Sequence, residues 1–152
     1  MESSQSAFNA ELNLKMERIR ELLIQWDLDA LLLQKVENFA WATCGGDSHI
    51  NLADSVGIAY ILVTRAHRFV VTNNIEASRL MQEEGLGEQG WECKVSPWYE
   101  GSNQATGLTD GMRLGADVHF SQAVDLSAEV ASLRAQLTVE EGVRYRELGY
   151  LC

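Results

Sequence analysis

This sequence is poor in positive charge and in long apolar stretches. Lysine and arginine number 12 against 22 aspartates and glutamates, a formal net charge of −10. Binding to nucleic acid or to an anionic membrane depends on displacing counterions with basic side chains, and this shortage argues against both as partners. The longest apolar run, Gly57 to Val63, falls far short of the roughly 20 residues that span a bilayer. The opening Met1-Glu2-Ser3-Ser4-Gln5-Ser6 is polar and lacks the basic-then-apolar order of a secretory signal. Cysteine is scarce as well. Cys44, Cys93 and Cys152 are odd in number and widely scattered, which suits reduced thiols better than a disulfide framework and makes the cytoplasm the expected location.

What is present fits one folded domain. At 152 residues the chain has the commonest domain size, and 46% hydrophobic against 22% charged residues is a globular balance. Leu12, Met16, Ile19, Leu22, Leu23 and Trp26 recur at spacings of three and four, which predicts an amphipathic helix over 7–26. Asp27-Leu28-Asp29 breaks it, and Ala30-Leu31-Leu32-Leu33 reads as a strand covered on both faces. Asn38 to Thr43 is a short helix or turn, and Cys44 to His49, with its glycine pair, a flexible loop. Gly57–Thr64 and Arg68–Thr72 predict a hairpin joined by Arg65-Ala66-His67. A surface helix follows over Ile75–Glu84, with Asn74 as N-cap and Gly85 as its left-handed end. Trp91–Val95 and Arg113–Asp117 are strand candidates, Asn103–Leu108 a weak helix, and Asp125–Leu137 a helix with Leu126, Val130, Leu133 and Leu137 on one face. Thr138-Val139-Glu140-Glu141 forms a capping box. The helix it opens runs to Cys152 without a stop signal, so a further segment is expected beyond it.

The motifs with chemical potential are weak. Gly85-Leu86-Gly87-Glu88-Gln89-Gly90 spells a dinucleotide fingerprint, but that chemistry needs a strand before and a helix after, and here the order is reversed. Asp117 and His119 offer two potential metal ligands with nothing to complete a set. Cys44 beside His49 suggests a thiol with a base, yet catalytic partners meet through the fold and buried cysteine is the common state. Of the four tryptophans, Trp98 with Tyr99 beside Pro97 is the pair expected on the surface, as an interface candidate. No catalytic residue and no metal ligand is assigned. The residues by themselves describe an α/β domain without a recognisable reaction centre.

Taken in order, however, several segments resemble one family. Met16-Glu17-Arg18-Ile19-Arg20-Glu21-Leu22-Leu23 followed by Leu28-Asp29-Ala30-Leu31-Leu32-Leu33 is similar to the opening of the amino-terminal domain of the creatinase, prolidase and Xaa-Pro aminopeptidase metallopeptidases (M24). Glu37-Asn38-Phe39-Ala40-Trp41-Ala42-Thr43-Cys44-Gly45-Gly46 resembles its aromatic stretch and glycine loop, and Leu62-Val63-Thr64 with Val70-Val71-Thr72 its strand pair. Leu133-Arg134-Ala135-Gln136-Leu137-Thr138-Val139-Glu140-Glu141 and Arg144-Tyr145-Arg146-Glu147-Leu148-Gly149 resemble its junction with the catalytic domain, although Leu137 stands where a basic residue is usual.

The resemblance implies a mixed β-sheet of about five or six strands flanked by helices on both faces. It divides the chain into an amino-terminal α/β domain, 1–137, and the start of a junction helix, 138–152. It implies a non-catalytic domain that supports homodimerisation and shapes access to an active site for proline-containing peptides. The divalent metal pair of the family (Mn, Co or Zn) would then lie in a catalytic domain outside these residues, with no cofactor in this chain. On the same analogy the loop Cys44 to Asp54 reaches a substrate cleft, with Asp47 and His49 as its polar contacts. The alternative is a stand-alone α/β module that binds a small molecule or another protein.

Overall fold

The computed structural model of the chain describes residues 2–100 and 103–152. Helix α1 (Glu2–Gln25) buries Leu12, Met16, Ile19, Leu22 and Leu23, the stripe that the spacing predicts. Trp26 departs from it and is 41% exposed. The reason is the helix end. Asp27 takes a left-handed φ of +52°, and Leu28 N donates to Leu23 O at 2.8 Å while Asp27 N donates to Ile24 O at 3.2 Å. That Schellman geometry swings Trp26 off the stripe and lets Leu28 fill the space beneath the last turn.

The central strand β1 (Ala30–Lys35) runs antiparallel to β2 (Val56–Thr64) and parallel to β5 (Leu114–Ala116). Its apolar run is continuous because both faces are covered: Leu31 and Leu33 enter one core, Ala30 and Leu32 the other. β2 turns into β3 (Arg68–Asn73) as the predicted hairpin, with Tyr60 opposite Val71 and Leu62 opposite Phe69. With β4 (Glu92–Ser96) parallel to β3 and β6 (Val124–Asp125) parallel to β5, the six-stranded mixed sheet has the order β4-β3-β2-β1-β5-β6.

Helices lie on both faces. α1, α2 (Val36–Ala42) and α4 (Ser127–Ala135) pack on the larger core through side chains such as Phe39 and Val130, and α3 (Asn103–Leu108) covers the other through Ala105 and Leu108. The segment between β3 and β4 is helical but wound as a π-turn over Arg79–Glu83. The turn leading into it is held by Asn73, one residue before the expected Asn74: Asn73 Oδ1 accepts from Ile75 N at 2.9 Å and Glu76 N at 3.0 Å, while Asn74 Oδ1 accepts from Trp98 N at 2.8 Å. Gly85, at φ +70°, ends the segment as expected. α4 is shorter than the predicted 125–137, and Leu137, with the chain already extended at Gln136, is half exposed. α5 (Val139–Leu151) opens with the predicted capping box, in which Thr138 Oγ1 accepts from Glu141 N at 3.1 Å and Glu141 Oε2 from Thr138 N at 2.9 Å. Among the described residues no helix is long and apolar enough to cross a membrane.

Candidate functional site

The glycine loop after α2 and the inner side of α5 form one surface. Thr43 sets its start. Thr43 Oγ1 donates to Phe39 O at 2.8 Å and accepts from Gly46 N at 3.0 Å. A Cβ on Gly46 would lie 2.7 Å from that hydroxyl, so a side chain there would have to displace Thr43 and break its bonds. Cys44 and Gly45 both take positive φ, +57° and +120°, which turns the chain outward. Asp47 N then donates to Glu84 Oε2 at 3.0 Å and Arg79 donates to Asp47 O at 3.1 Å, so the loop is tied to the π-turn.

Asp47 and His49, expected at a cleft, are brought together. His49 N donates to Asp47 Oδ1 at 2.8 Å and His49 Nδ1 lies 2.9 Å from the same oxygen. The backbone bond from His49, helped by its ring, holds the Asp47 carboxyl below the usual range. Both side chains reach solvent, beside a shallow, mostly apolar groove of about 290 Å³ floored by Ala40 and Gly45. Further along, Ile50 and Leu52 project into solvent at 64% and 87% exposure.

Ala40 and Gly45 also border a second groove of about 430 Å³, walled by Trp41, Cys44, Tyr145 and Leu148. Beneath it is a charge cluster that sequence reasoning missed. Lys15 Nζ, fully buried, donates to Glu11 Oε1 at 2.8 Å, Glu141 Oε1 at 2.8 Å and Trp41 O at 3.0 Å, and lies over the Trp41 ring. Arg144 adds a bidentate pair to Glu11 at 2.8 and 2.9 Å. Burial pushes the Glu11 carboxyl up, but the hydrogen bonds from Arg144 and Lys15 outweigh it and hold the group at about 2. Burial likewise opposes the Lys15 charge, and Glu11 and Glu141 overcome it, so its pKa is raised. The available signal was positional: Glu11 and Lys15, four apart, lie on the same stripe as Leu12, Met16 and Leu22, where a charge has to be paired.

These groups hold structure and lack the freedom to react. All three Lys15 protons are bound, which removes it as a base or an amine nucleophile. Burial pushes the Cys44 thiol up to about 12, far from the thiolate that a nucleophile requires. Asp117 is also structural: it accepts from Gln34 N at 2.8 Å, Lys35 N at 3.0 Å and Asn38 Nδ2 at 2.8 Å, pinning the end of β1 to the start of α2. Among the described residues no three His, Cys, Asp or Glu side chains gather as metal ligands. Gly85–Gly90 lies between the helical segment and β4, the reverse of a dinucleotide site. Trp98 and Tyr99 stand apart from the grooves, just past β4, packed edge to face at 6.0 Å and largely exposed.

No protein-family model and no curated protein matches the chain. Among solved structures it is similar to the prolidase from Pyrococcus horikoshii OT3, with a TM-score of 0.50 and 16% identity, over 80% of this chain and 29% of that one. It is also similar to the Xaa-Pro dipeptidase from Bacillus anthracis (TM-score 0.49, 14% identity, 90% of this chain and 31% of that one). A third is the N-terminal domain of Xaa-Pro dipeptidase from Lactobacillus brevis (TM-score 0.49, 14% identity, 78% of this chain and 98% of that one). The chain thus spans less than a third of the length of the first two. At such identities the likeness is one of fold, and the six-stranded mixed sheet with its helices is built like part of a prolidase.

Proposed function

We propose that this chain is the amino-terminal, non-catalytic domain of a Xaa-Pro dipeptidase- or aminopeptidase-like metallopeptidase, supporting dimerisation and shaping access to an active site for proline-containing peptides. The observation that carries the reading is the fold shared with a prolidase over 80% of this chain, which amounts to only 29% of that protein. The exposed face of α5 supports it. That helix buries no side chain, and Val139, Leu148, Tyr150 and Leu151 lie open to solvent, the apolar contact surface that a neighbouring domain would cover. Under this reading residues 1–137 form the α/β domain and 138–152 begin the junction. Under the same reading the family's divalent metal pair belongs to a separate catalytic domain.

The loop Cys44 to Asp54 is the part that faces substrate. It is held rigidly at Gly46 and Asp47, carries the polar pair Asp47–His49, and ends in the exposed side chains of Ile50 and Leu52. An immunoblot of source cells with an antibody to this domain tests the reading. A band larger than the 16.9 kDa of this chain by on the order of a 200-residue domain is expected. A band at 16.9 kDa refutes it in favour of a free-standing binding module. Asp47→Ala and His49→Ala in the intact enzyme should alter the kinetics for short peptides, and unchanged kinetics would remove the loop from the substrate path. The isolated chain should not hydrolyse Xaa-Pro substrates with manganese or cobalt added.

A further inference from the structure

We propose that the outer edge of β4 is a self-pairing edge, on which a second copy of this chain adds its own β4, antiparallel and centred on Cys93. This rests on the dimerisation proposed above and gives it a surface. β4 is the last strand of the sheet on that side, and among the described residues β3 alone pairs with it. Its outward backbone groups are therefore the ones a further strand would use.

Symmetry and charge together select the register. Two copies of one edge strand that pair antiparallel are related by a twofold axis perpendicular to the sheet, and facing residues must point to the same side of it. Only registers centred on a residue satisfy this. Centring on Glu92 sets Glu92 against itself, and centring on Lys94 sets Lys94 against itself, both directly opposed like charges, while centring on Val95 or Ser96 draws Pro97, which has no N–H to give, into the ladder. Centring on Cys93 instead sets Glu92 opposite Lys94 of the second copy, twice over, and Cys93 opposite its own equivalent.

The local packing suits this arrangement. Lys94 leans back over the Phe69 ring at 5.1 Å, and Glu92 lies 3.2 Å from His67 Nδ1, so both charges sit on one face over their own sheet and neither blocks the edge. Val95, on the opposite face, is 48% exposed. Trp98 and Tyr99 follow immediately, and in the Cys93 register they come beside the residues that precede β4 in the second copy, extending the contact beyond the strand with aromatic surface.

Sedimentation equilibrium of the full chain across the micromolar range tests the proposal, with circular dichroism to confirm that each variant folds. The wild type should dimerise. Glu92→Lys and Lys94→Glu should each weaken association about tenfold or more, because two pairs turn from opposite to like charge. The double swap Glu92→Lys/Lys94→Glu should restore it, which a purely intrachain role for either residue would not. Facing Cα atoms about 4.5–5.5 Å apart lie within the span of a disulfide. Diamide, taking up the two thiol hydrogens, should therefore join Cys93 to Cys93 in a covalent dimer located by peptide mass mapping and lost in Cys93→Ser. A monomeric wild type, a dimer indifferent to the charge variants, or a cross-link confined to Cys152 overturns the proposal. None of these outcomes alters the native size of the protein, so the domain reading is judged separately.

Discussion

Replacing Lys15 by methionine should be among the most damaging single changes available outside the apolar core. The stem keeps its length and packing, so the loss is that of the charge. Glu11, 1% exposed, would keep only Arg144, while Glu141 Oε1 and the Trp41 carbonyl would lose their donor. Breaking a buried ion pair from one side costs about 3–5 kcal/mol, and because Glu141 retains 12% exposure and can regain some water, the lower end applies, about 3 kcal/mol. With a urea m-value of about 2 kcal/mol/M for a domain of this size, the midpoint should fall by about 1.5 M. The double variant Glu11→Leu/Lys15→Met removes the stranded carboxylate as well and leaves Arg144, whose side chain is 53% exposed, free to turn into water. It should therefore recover part of the loss, so that the double costs less than the sum of the two singles in a double-mutant cycle. A loss below about 1 kcal/mol for Lys15→Met, or strictly additive single effects, would refute the account of the cluster as a unit.

The acid limb of stability should report the same cluster. Glu11 is held at about 2 against an ordinary 4.5, so its contribution is complete above pH 4.5 and is lost as pH falls towards 2; the shift corresponds to about 3 kcal/mol, and Glu11→Gln should flatten that limb in urea titrations at stepped pH. Asp117→Ala should cost about 3 kcal/mol by orphaning the three donors it accepts from, and thermal melts should show it, whereas a neutral result would mean water replaces the carboxylate. Gly57→Ala should destabilise by about 1–3 kcal/mol, because the new methyl would meet Ser48 Oγ, Cβ and backbone oxygen, the last at 2.9 Å; an unchanged melting temperature would show that the loop yields freely.

Local signals were legible and distant ones were not. The stripe from Leu12 to Leu23, the buried run of β1, the hairpin and the Thr138–Glu141 box each depend on residues a few places apart, and each is found where periodicity or cap chemistry puts it. Trp26 and Asn74 were misplaced by a single residue or turn, because helix ends are set by backbone bonds such as Leu28 N to Leu23 O that periodicity does not encode. The glycine loop with Asp47 and His49 was legible as a loop. The second groove was not, since its walls come from α2 and α5 and its floor from a contact spanning 133 residues, Glu11 to Arg144. Asp117 looked like half of a metal site because sequence shows a carboxylate beside a histidine; only the adjacency of β1 and β5 shows the backbone amides that it serves.

Cys44, on the wall of that groove, gives the molecule a built-in reporter of its own packing. Burial pushes its thiol up to about 12, so little thiolate is present at pH 8 and an alkylating reagent should capture it slowly. Any change that opened this part of the fold further to water would return the thiol towards ordinary acidity and speed its capture. Cys152, exposed at the far end of the same helix, should react at once under the same conditions. The ratio of the two alkylation rates therefore reports how well the fold shields the groove wall, using only residues the chain already has.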